Sequence, residues 1–287
     1  MNILTFDIED WFHINFDPSF TTDENYRSFE GRLEAKLFDI LDILEERNIE
    51  ATFLCLGWIA KVYPHLIREI DKRGHEIGSH TFLHKLVHNQ TPSEFDKDLS
   101  KSIKTLSDVT GKPIRIFRAP AFSIGPKNPW AFEVLIQNGI EIDLSVFPAS
   151  RDFGGYQDIK TNSPHWIQYN GLKIKEYPIN TGSFFKQKII YSGGGYFRML
   201  PFFLTQNLFQ RNGYNMAYFH ARDFDPKQPI LDDLSFVRKL KSYYGLKSCW
   251  RKFEALLDNN DFISLRQSEQ TYNWNTAKTI CIDANAI

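Results

Sequence analysis

Runs of apolar positions cut the chain into strand-length and helix-length pieces. Residues 2–8 form an apolar β run that ends in acids, and residues 15–30 are polar and loop-like. From Arg32 to Asn48 the positions Leu33, Leu37, Ile40, Leu41 and Leu44 keep a helical period. Ala51 to Gly57 reads as a buried strand, and Ile59 to Arg73 as a helix with Pro64 at an early or kinked position. Residues 75–79 are a short strand, after which His80 opens a loop or a helix. A helix starts at Pro92 and runs to about Val109, with Gly111 as its stop. Ile114 to Phe117 is a strand, residues 129–137 a helix ending before Gly139, and Glu141 to Leu144 a strand.

This strand–helix alternation predicts parallel strands joined by crossover helices. Sites in such folds sit at the C-terminal strand ends. Asp7, His80, Arg118 and Asp143 fall at those ends. The pattern then changes. Residues 149–215 show no clean βα repeat and hold two glycine-rich loops, Gly154-Gly155 and Gly193-Gly194-Gly195. They are expected to form an elaboration beside the site, within one domain spanning residues 1–287. The glycine trio lacks the Lys-Ser/Thr of a phosphate loop and the spacing of a dinucleotide motif. Met216 to Phe219 is a strand delivering His220, residues 231–258 are helical and charged, and Asp261 to Leu265 is a last strand.

Composition narrows the class. The 287 residues are 42% hydrophobic and 15% aromatic, enough for a large core. A formal net charge of −1 gives no reason to expect a nucleic-acid or anionic-membrane partner. Cys55, Cys249 and Cys281 are too scattered for a disulfide framework or a metal motif. No run of apolar residues is long enough to cross a membrane, and no secretory leader is seen. The expected location is the cytoplasm, with the inner face of the membrane as an alternative.

His80 and His84 stand four residues apart. If a helix begins near Thr81, both rings lie on one face and reach one metal ion. On their own they read equally well as two solvated histidines on a surface helix. The H-E-x-x-H pattern has the same spacing, but its glutamate is Thr81 here, so a third ligand and a base must come from elsewhere. The dense acidic cluster Asp7-Ile8-Glu9-Asp10 at the end of the first strand is the candidate source. Strand alternation puts Asp7 and Glu9 on one face and Asp10 on the other. Glu9 is therefore the expected third ligand, with Asp10 the alternative if the strand bends after Ile8.

Six stretches carry a resemblance. They are Thr5 to Asp10, Ala51-Thr52-Phe53, Gly74 to His84, Phe117-Arg118-Ala119-Pro120, Ile142 to Ser145, and Tyr218-Phe219-His220. In this order the chain resembles the polysaccharide deacetylase family, the NodB-homology or carbohydrate esterase family 4 domain. Asp7 to Phe12, Gly193 to Arg198 and Phe224-Asp225-Pro226 are similar to a branch associated with bacterial exopolysaccharides. The resemblance implies an α/β fold, a distorted (β/α) barrel. It also implies a divalent metal, usually zinc with cobalt or nickel possible, and hydrolysis of N-acetyl groups on amino sugars of a glycan or lipid-linked precursor.

Under that resemblance Asp7 is the general base, Arg118 pairs with it, and His220 is the general acid. Asp143 bonds the far ring nitrogen of His220 and raises its pKa. Trp11, Pro120 and Tyr196 are candidate substrate contacts. The family usually has two adjacent aspartates where this chain has Asp7-Ile8, and the branch has Pro-Trp-Glu where this chain has Ala221-Arg222-Asp223. The competing readings are a deformylase or O-acetyl esterase, and a catalytically inactive glycan-binding barrel.

Overall fold

The computed structural model describes residues 1–150, 153–184 and 187–282. Five short strands carry the first half: β1 (Asn2–Ile8), β2 (Thr52–Cys55), β3 (Glu76–Ser79), β4 (Ile116–Phe117) and β5 (Ile142–Asp143). Helices fill the gaps between them: α1 (Asp23–Arg27) and α2 (Leu33–Glu46), α3 (Gly57–Val62) and α4 (Pro64–Lys72), α5 (Pro92–Thr110), and α6 (Trp130–Gln137). The second half adds β6 (His165–Tyr169), β7 (Leu172–Glu176), β8 (Thr181–Phe184), β9 (Gln187–Ile190), α7 (Gly194–Met199), α8 (Phe202–Arg211) and β10 (Asn215–His220). It ends with α9 (Phe236–Tyr243), α10 (Leu246–Asp258), β11 (Phe262–Ile263), α11 (Leu265–Thr271) and β12 (Thr279–Ile282).

The main sheet runs β10-β1-β2-β3-β4-β5-β7-β6-β12, with β11 beside the start of β1, and β8 and β9 form a separate pair. The strands from β10 to β7 in this order are parallel; β6 runs antiparallel to β7, and β12 runs parallel to β6. The sheet curves into an incomplete (β/α) barrel sheathed in helices. Beside β10 the chain is tied by Asn180, whose Oδ1 accepts from the Met216 N–H at 2.7 Å.

Period-two alternation along β1 explains both layers. Leu4, Phe6 and Ile8 face the helices, and Phe6 stacks on Phe53 at 5.0 Å. Ile3, Thr5 and Asp7 face the barrel interior, where Ile3 joins Leu54, Ile116, Leu144 and Met216. Register carries one level across the sheet. His220 stands beside Asp7, Ser79 beside Phe117, Phe117 beside Asp143, and Asp143 beside Glu176. The polar residues that follow these strands therefore emerge at one end.

Several element boundaries differ from expectation. The helix expected over residues 59–73 is two helices broken at Tyr63-Pro64, because proline cannot donate to the preceding turn. The helical stretch over 231–258 breaks at Gly245, in the left-handed region at φ 76°. Residues 165–176 form a tight hairpin. Asn170 and Gly171 take φ of 48° and 79° at its turn, the geometry that an Asn-Gly pair favours.

Candidate metal centre and active-site cleft

No helix begins at Thr81. After β3 the chain enters a loop in which Thr81 and His84 hold positive φ, 69° and 60°. Such conformations cost free energy and persist only when neighbours impose them. Here α5 and α3 do so. Asp98 accepts from the N–H groups of Phe82 (2.7 Å) and Leu83 (3.3 Å), and Ser102 donates to the Thr81 carbonyl at 2.9 Å. The first turn of α3 contributes two more bonds, from the N–H groups of Gly57 and Trp58 to the carbonyls of Thr81 and Phe82. The four-residue spacing thus works through a clamped loop rather than a helix face.

That loop aims both rings inward. His80 Nδ1 lies 2.8 Å from the Arg118 carbonyl oxygen, and His84 Nδ1 lies 2.9 Å from that of His13. A carbonyl can only accept, so each Nδ1 carries the proton and each Nε2 presents a lone pair. The two Nε2 atoms are 3.2 Å apart. Glu9 Oε2 approaches His84 Nε2 to 2.9 Å, yet it is buried and has no hydrogen-bond partner. Three lone-pair atoms that repel one another therefore converge within 4.8 Å. Such a cluster fits a divalent cation, with second-shell carbonyls orienting both histidines. Burial pushes the His80 pKa down to about 4, which keeps the ring neutral as a ligand must be. Burial acts to raise Glu9, but His84, His220 and Arg222 outweigh it and hold the carboxyl well below its ordinary value.

Asp10 lies elsewhere. The chain bends after Ile8, and Asp10 caps the short turn Trp11–Ile14 through the Trp11 N–H at 2.8 Å. Its other oxygen accepts from Arg32 (2.8 Å) and Leu33 (3.1 Å) at the start of α2. Both oxygens are taken, and neither faces the histidines.

Asp7 and Arg118 form a buried pair. Arg118 Nη1 donates to Asp7 Oδ1 at 2.7 Å, Nη2 to Thr5 Oγ1 at 2.9 Å, and Nε to the Leu144 carbonyl at 3.2 Å. Asp7 Oδ2 is left facing His220 Nε2, 3.8 Å away. The same His220 atom lies 3.8 Å from Glu9 Oε1.

The partner of His220 is not Asp143. His220 Nδ1 and its backbone N–H both sit 2.9 Å from Asp223 Oδ2. Asp223 in turn accepts from Arg198 Nη1 at 2.5 Å, and Arg198 Nη2 donates to the Lys241 carbonyl at 2.7 Å. Burial would lower the His220 pKa, but Asp223, Glu9 and Asp7 outweigh it and the value is raised. Asp143 is fully buried at the end of β5, where Ser145 Oγ donates to it at 2.5 Å. Ser145 also accepts from the Ala119 N–H at 2.8 Å, so Asp143 braces the segment that carries Arg118. Its other neighbour is Glu176. Burial raises Asp143 to about 6, and burial together with Asp143 pushes Glu176 well above the carboxylate range. Asp143 Oδ2 and Glu176 Oε2 are each buried without a hydrogen-bond partner, the state expected of two adjacent carboxyls that hold one proton between them.

The cleft over these residues has a volume of about 290 Å³ and is floored by Asp7, Glu9, His80, His84 and His220. Phe153, Tyr196 and Met199 are among its walls. Trp11 does not reach it; the ring is buried against Phe12 and Phe29 and donates to the Glu30 carbonyl. Pro120 is also buried and opens the turn whose next residues, Ala121 and Phe122, line the cleft. The glycine trio has a steric basis. A Cβ on Gly193 would lie 1.8 Å from the Tyr218 carbonyl oxygen, and one on Gly195 2.5 Å from that of Lys241. Close approach lets α7 bring Arg198 to Asp223. Sequence reading missed Asp223, Arg198, Glu176 and Asp98. The signals were a carboxylate three residues after His220, an arginine closing the glycine run, and an Asp on the inner face of α5.

Comparison with known proteins adds a family context. Residues 19–139 match the family model described as polysaccharide deacetylase, and residues 144–270 match one described as a domain of unknown function, DUF3473. A chitooligosaccharide deacetylase of Azorhizobium caulinodans is 37% identical over 82 residues, 28% of this chain and 39% of that protein. A peptidoglycan-N-acetylglucosamine deacetylase of Bacillus cereus is 32% identical over 108 residues, 37% of this chain and 38% of that one. The chain thus spans about two fifths of the length of these curated relatives. The crystal structure of a candidate polysaccharide deacetylase from Mycobacterium smegmatis superposes with a TM-score of 0.61 at 19% identity, covering 94% of this chain and 88% of that one. The deacetylase match contains His80, His84 and Arg118, but Asp7 and Glu9 precede it and His220 follows it.

Proposed function

The chain carries a polysaccharide deacetylase domain of the NodB-homology, carbohydrate esterase family 4 type, and from that premise we propose that it is a metal-dependent hydrolase removing N-acetyl groups from amino sugars of a bacterial glycan or glycan precursor. The observation that carries this reading is the convergence of Glu9, His80 and His84 between Asp7 and His220. Glu9, His80 and His84 would hold the ion, zinc by the nature of the donors. A bound divalent ion supplies Lewis acidity toward a water and an amide carbonyl.

The residues of the chain do the proton work. Asp7 uses Oδ1 on Arg118 and keeps Oδ2 for the cleft, where it takes a proton from the attacking water. His220 gives its Nε2 proton to the departing amine as the amide C–N bond breaks, releasing acetate and a free amino sugar. Asp223 fixes the His220 tautomer and favours its charged form. Residues 149–215 are read as an elaboration of the same domain, since Phe153, Tyr196 and Met199 line the cleft. Tyr196 is the substrate contact retained from the three candidates.

The test is mass spectrometry of acetylated chitooligosaccharides and peptidoglycan fragments incubated with the protein. Loss of acetyl groups is expected, abolished by a chelator and restored by zinc. Asp7→Asn should retain bound metal and lose about 10²–10⁴-fold in kcat. Wild-type turnover in Asp7→Asn would remove Asp7 from the role of base.

A further inference from the structure

The turn that follows β10, Ala221–Phe224, carries two functional side chains. Asp223 serves His220. Arg222 points the other way, toward Glu9, and lines the cleft with only 9% of its side chain exposed. Its Nε donates to Glu9 Oε1 at 3.4 Å, and its Nη1 donates to Gln228 Oε1 at 3.3 Å. Gln228 is buried and holds the turn from the far side. Its Nε2 donates to the carbonyls of Arg222 at 2.7 Å and Asp225 at 2.9 Å. One glutamine thus grips both the backbone and the guanidinium of Arg222.

Glu9 therefore divides its two oxygens. Oε2 turns to the histidines, 2.9 Å from His84 Nε2, and has no hydrogen-bond partner. Oε1 turns to two cationic groups, Arg222 Nε at 3.4 Å and His220 Nε2 at 3.8 Å. At 3.4 Å the Arg222 bond is longer than a strong charge-assisted one. Burying an ion pair brings little or no net stability, because desolvation offsets the attraction. Stability is thus a poor reason for an arginine at this place, and its effect on Glu9 is a better one. A glutamate free at both oxygens can close on a cation with the pair of them. The second oxygen would then fill a position that a catalytic site keeps open. The guanidinium is always charged, so its claim on Oε1 does not lapse when His220 changes protonation.

We propose that Arg222 is a positioning residue that holds Glu9 Oε1 back from the ion site, so that Glu9 donates through Oε2 alone and a coordination position stays open for substrate. This rests on the metal-dependent reading of the cleft and adds to it a residue that binds neither ion nor sugar.

The experiment loads the full chain with cobalt(II), whose visible absorption weakens as its coordination number rises. Arg222→Met keeps the apolar stem and removes the charge. Its cobalt absorption should be weaker than that of wild type. It should bind zinc roughly ten-fold more tightly, since a like charge leaves and a second oxygen joins. Its kcat on acetylated chitooligosaccharides should fall about 10–100-fold. Arg222→Lys keeps a cation beside Oε1 and should stay close to wild type in absorption and zinc affinity. Tighter metal with slower turnover is the signature, because loss of a merely structural support weakens metal binding instead. An unchanged spectrum in Arg222→Met overturns the proposal. So does weaker zinc binding in that variant, and so does an Arg222→Lys spectrum that matches Arg222→Met. A wild type that takes up no cobalt overturns both the proposal and the metal-dependent reading. The expected spectral change in a protein that deacetylates nothing upholds the role of Arg222 and overturns the deacetylase reading alone.

Discussion

His220 is tuned by a carboxylate three residues away along its own chain. Asp223 accepts from both the ring and the backbone N–H of His220, and Arg198 neutralises its other oxygen. The raised pKa of His220 keeps the acid form populated to higher pH than an ordinary histidine allows. The alkaline limb of kcat/KM should therefore follow this residue. Asp223→Asn removes the charge that favours imidazolium, lowers the His220 pKa and moves that limb to lower pH. Asp143→Asn should leave the limb in place, because Asp143 touches Ser145 and Glu176 instead. The pH profiles of the two variants on one acetylated substrate distinguish the assignments. A shift in Asp143→Asn alone would restore the expectation drawn from the sequence. The role of Asp223 was hard to read because Ala221-Arg222-Asp223 replaces the run usual in the branch.

The loop from His80 to His84 holds its shape through α5, which contributes no ligand. Asp98 accepts two N–H groups of the loop, and Ser102 bonds the Thr81 carbonyl. Asp98→Ala leaves Phe82 and Leu83 unpaired and releases the backbone at Thr81 and His84. Outer-shell losses of this kind weaken metal binding by about 10–100-fold, which competition with a chromogenic chelator measures. His80→Ala should lose more. Glu9→Ala should also lose the metal. Asp10→Ala should keep it and instead lose stability by about 0.5–2 kcal/mol for each cap removed. Full metal retention in Glu9→Ala would return Asp10 to the ligand set. Apolar period marks α2, α5 and the strands plainly in sequence. The loop carries no such period, because its conformation is imposed by side chains distant along the chain.

At the scale of the whole molecule, Asp143 and Glu176 stand side by side on the paired strands β5 and β7 in a fully buried site. Both carboxyls titrate above their ordinary range in the folded protein. Each therefore binds protons more tightly folded than unfolded. Their contribution to stability is complete below the unfolded pKa, about 4.3 for Glu, and is lost as pH rises through the folded values. The loss amounts to about 1.4 kcal/mol per pH unit for each proton that differs between the two states. Glu176→Gln supplies a permanent donor toward Asp143 and keeps an acceptor for the Val146 N–H, which Glu176 binds at 3.1 Å. The variant should unfold at a higher temperature than wild type at neutral and alkaline pH and show a flatter pH dependence. Equal melting curves from pH 5 to 8 would mean that no shared proton is present. The sequence by itself determined the α/β alternation and the strand ends that bear Asp7, His80 and Arg118. These follow from local period and pleat, which each segment carries alone. Only the tertiary structure decided that Asp10 caps helices, that Asp223 serves His220, and that Trp11 and Pro120 are buried away from the cleft. Each of those depends on which distant group stands within hydrogen-bond or packing distance, and no window of sequence contains both partners.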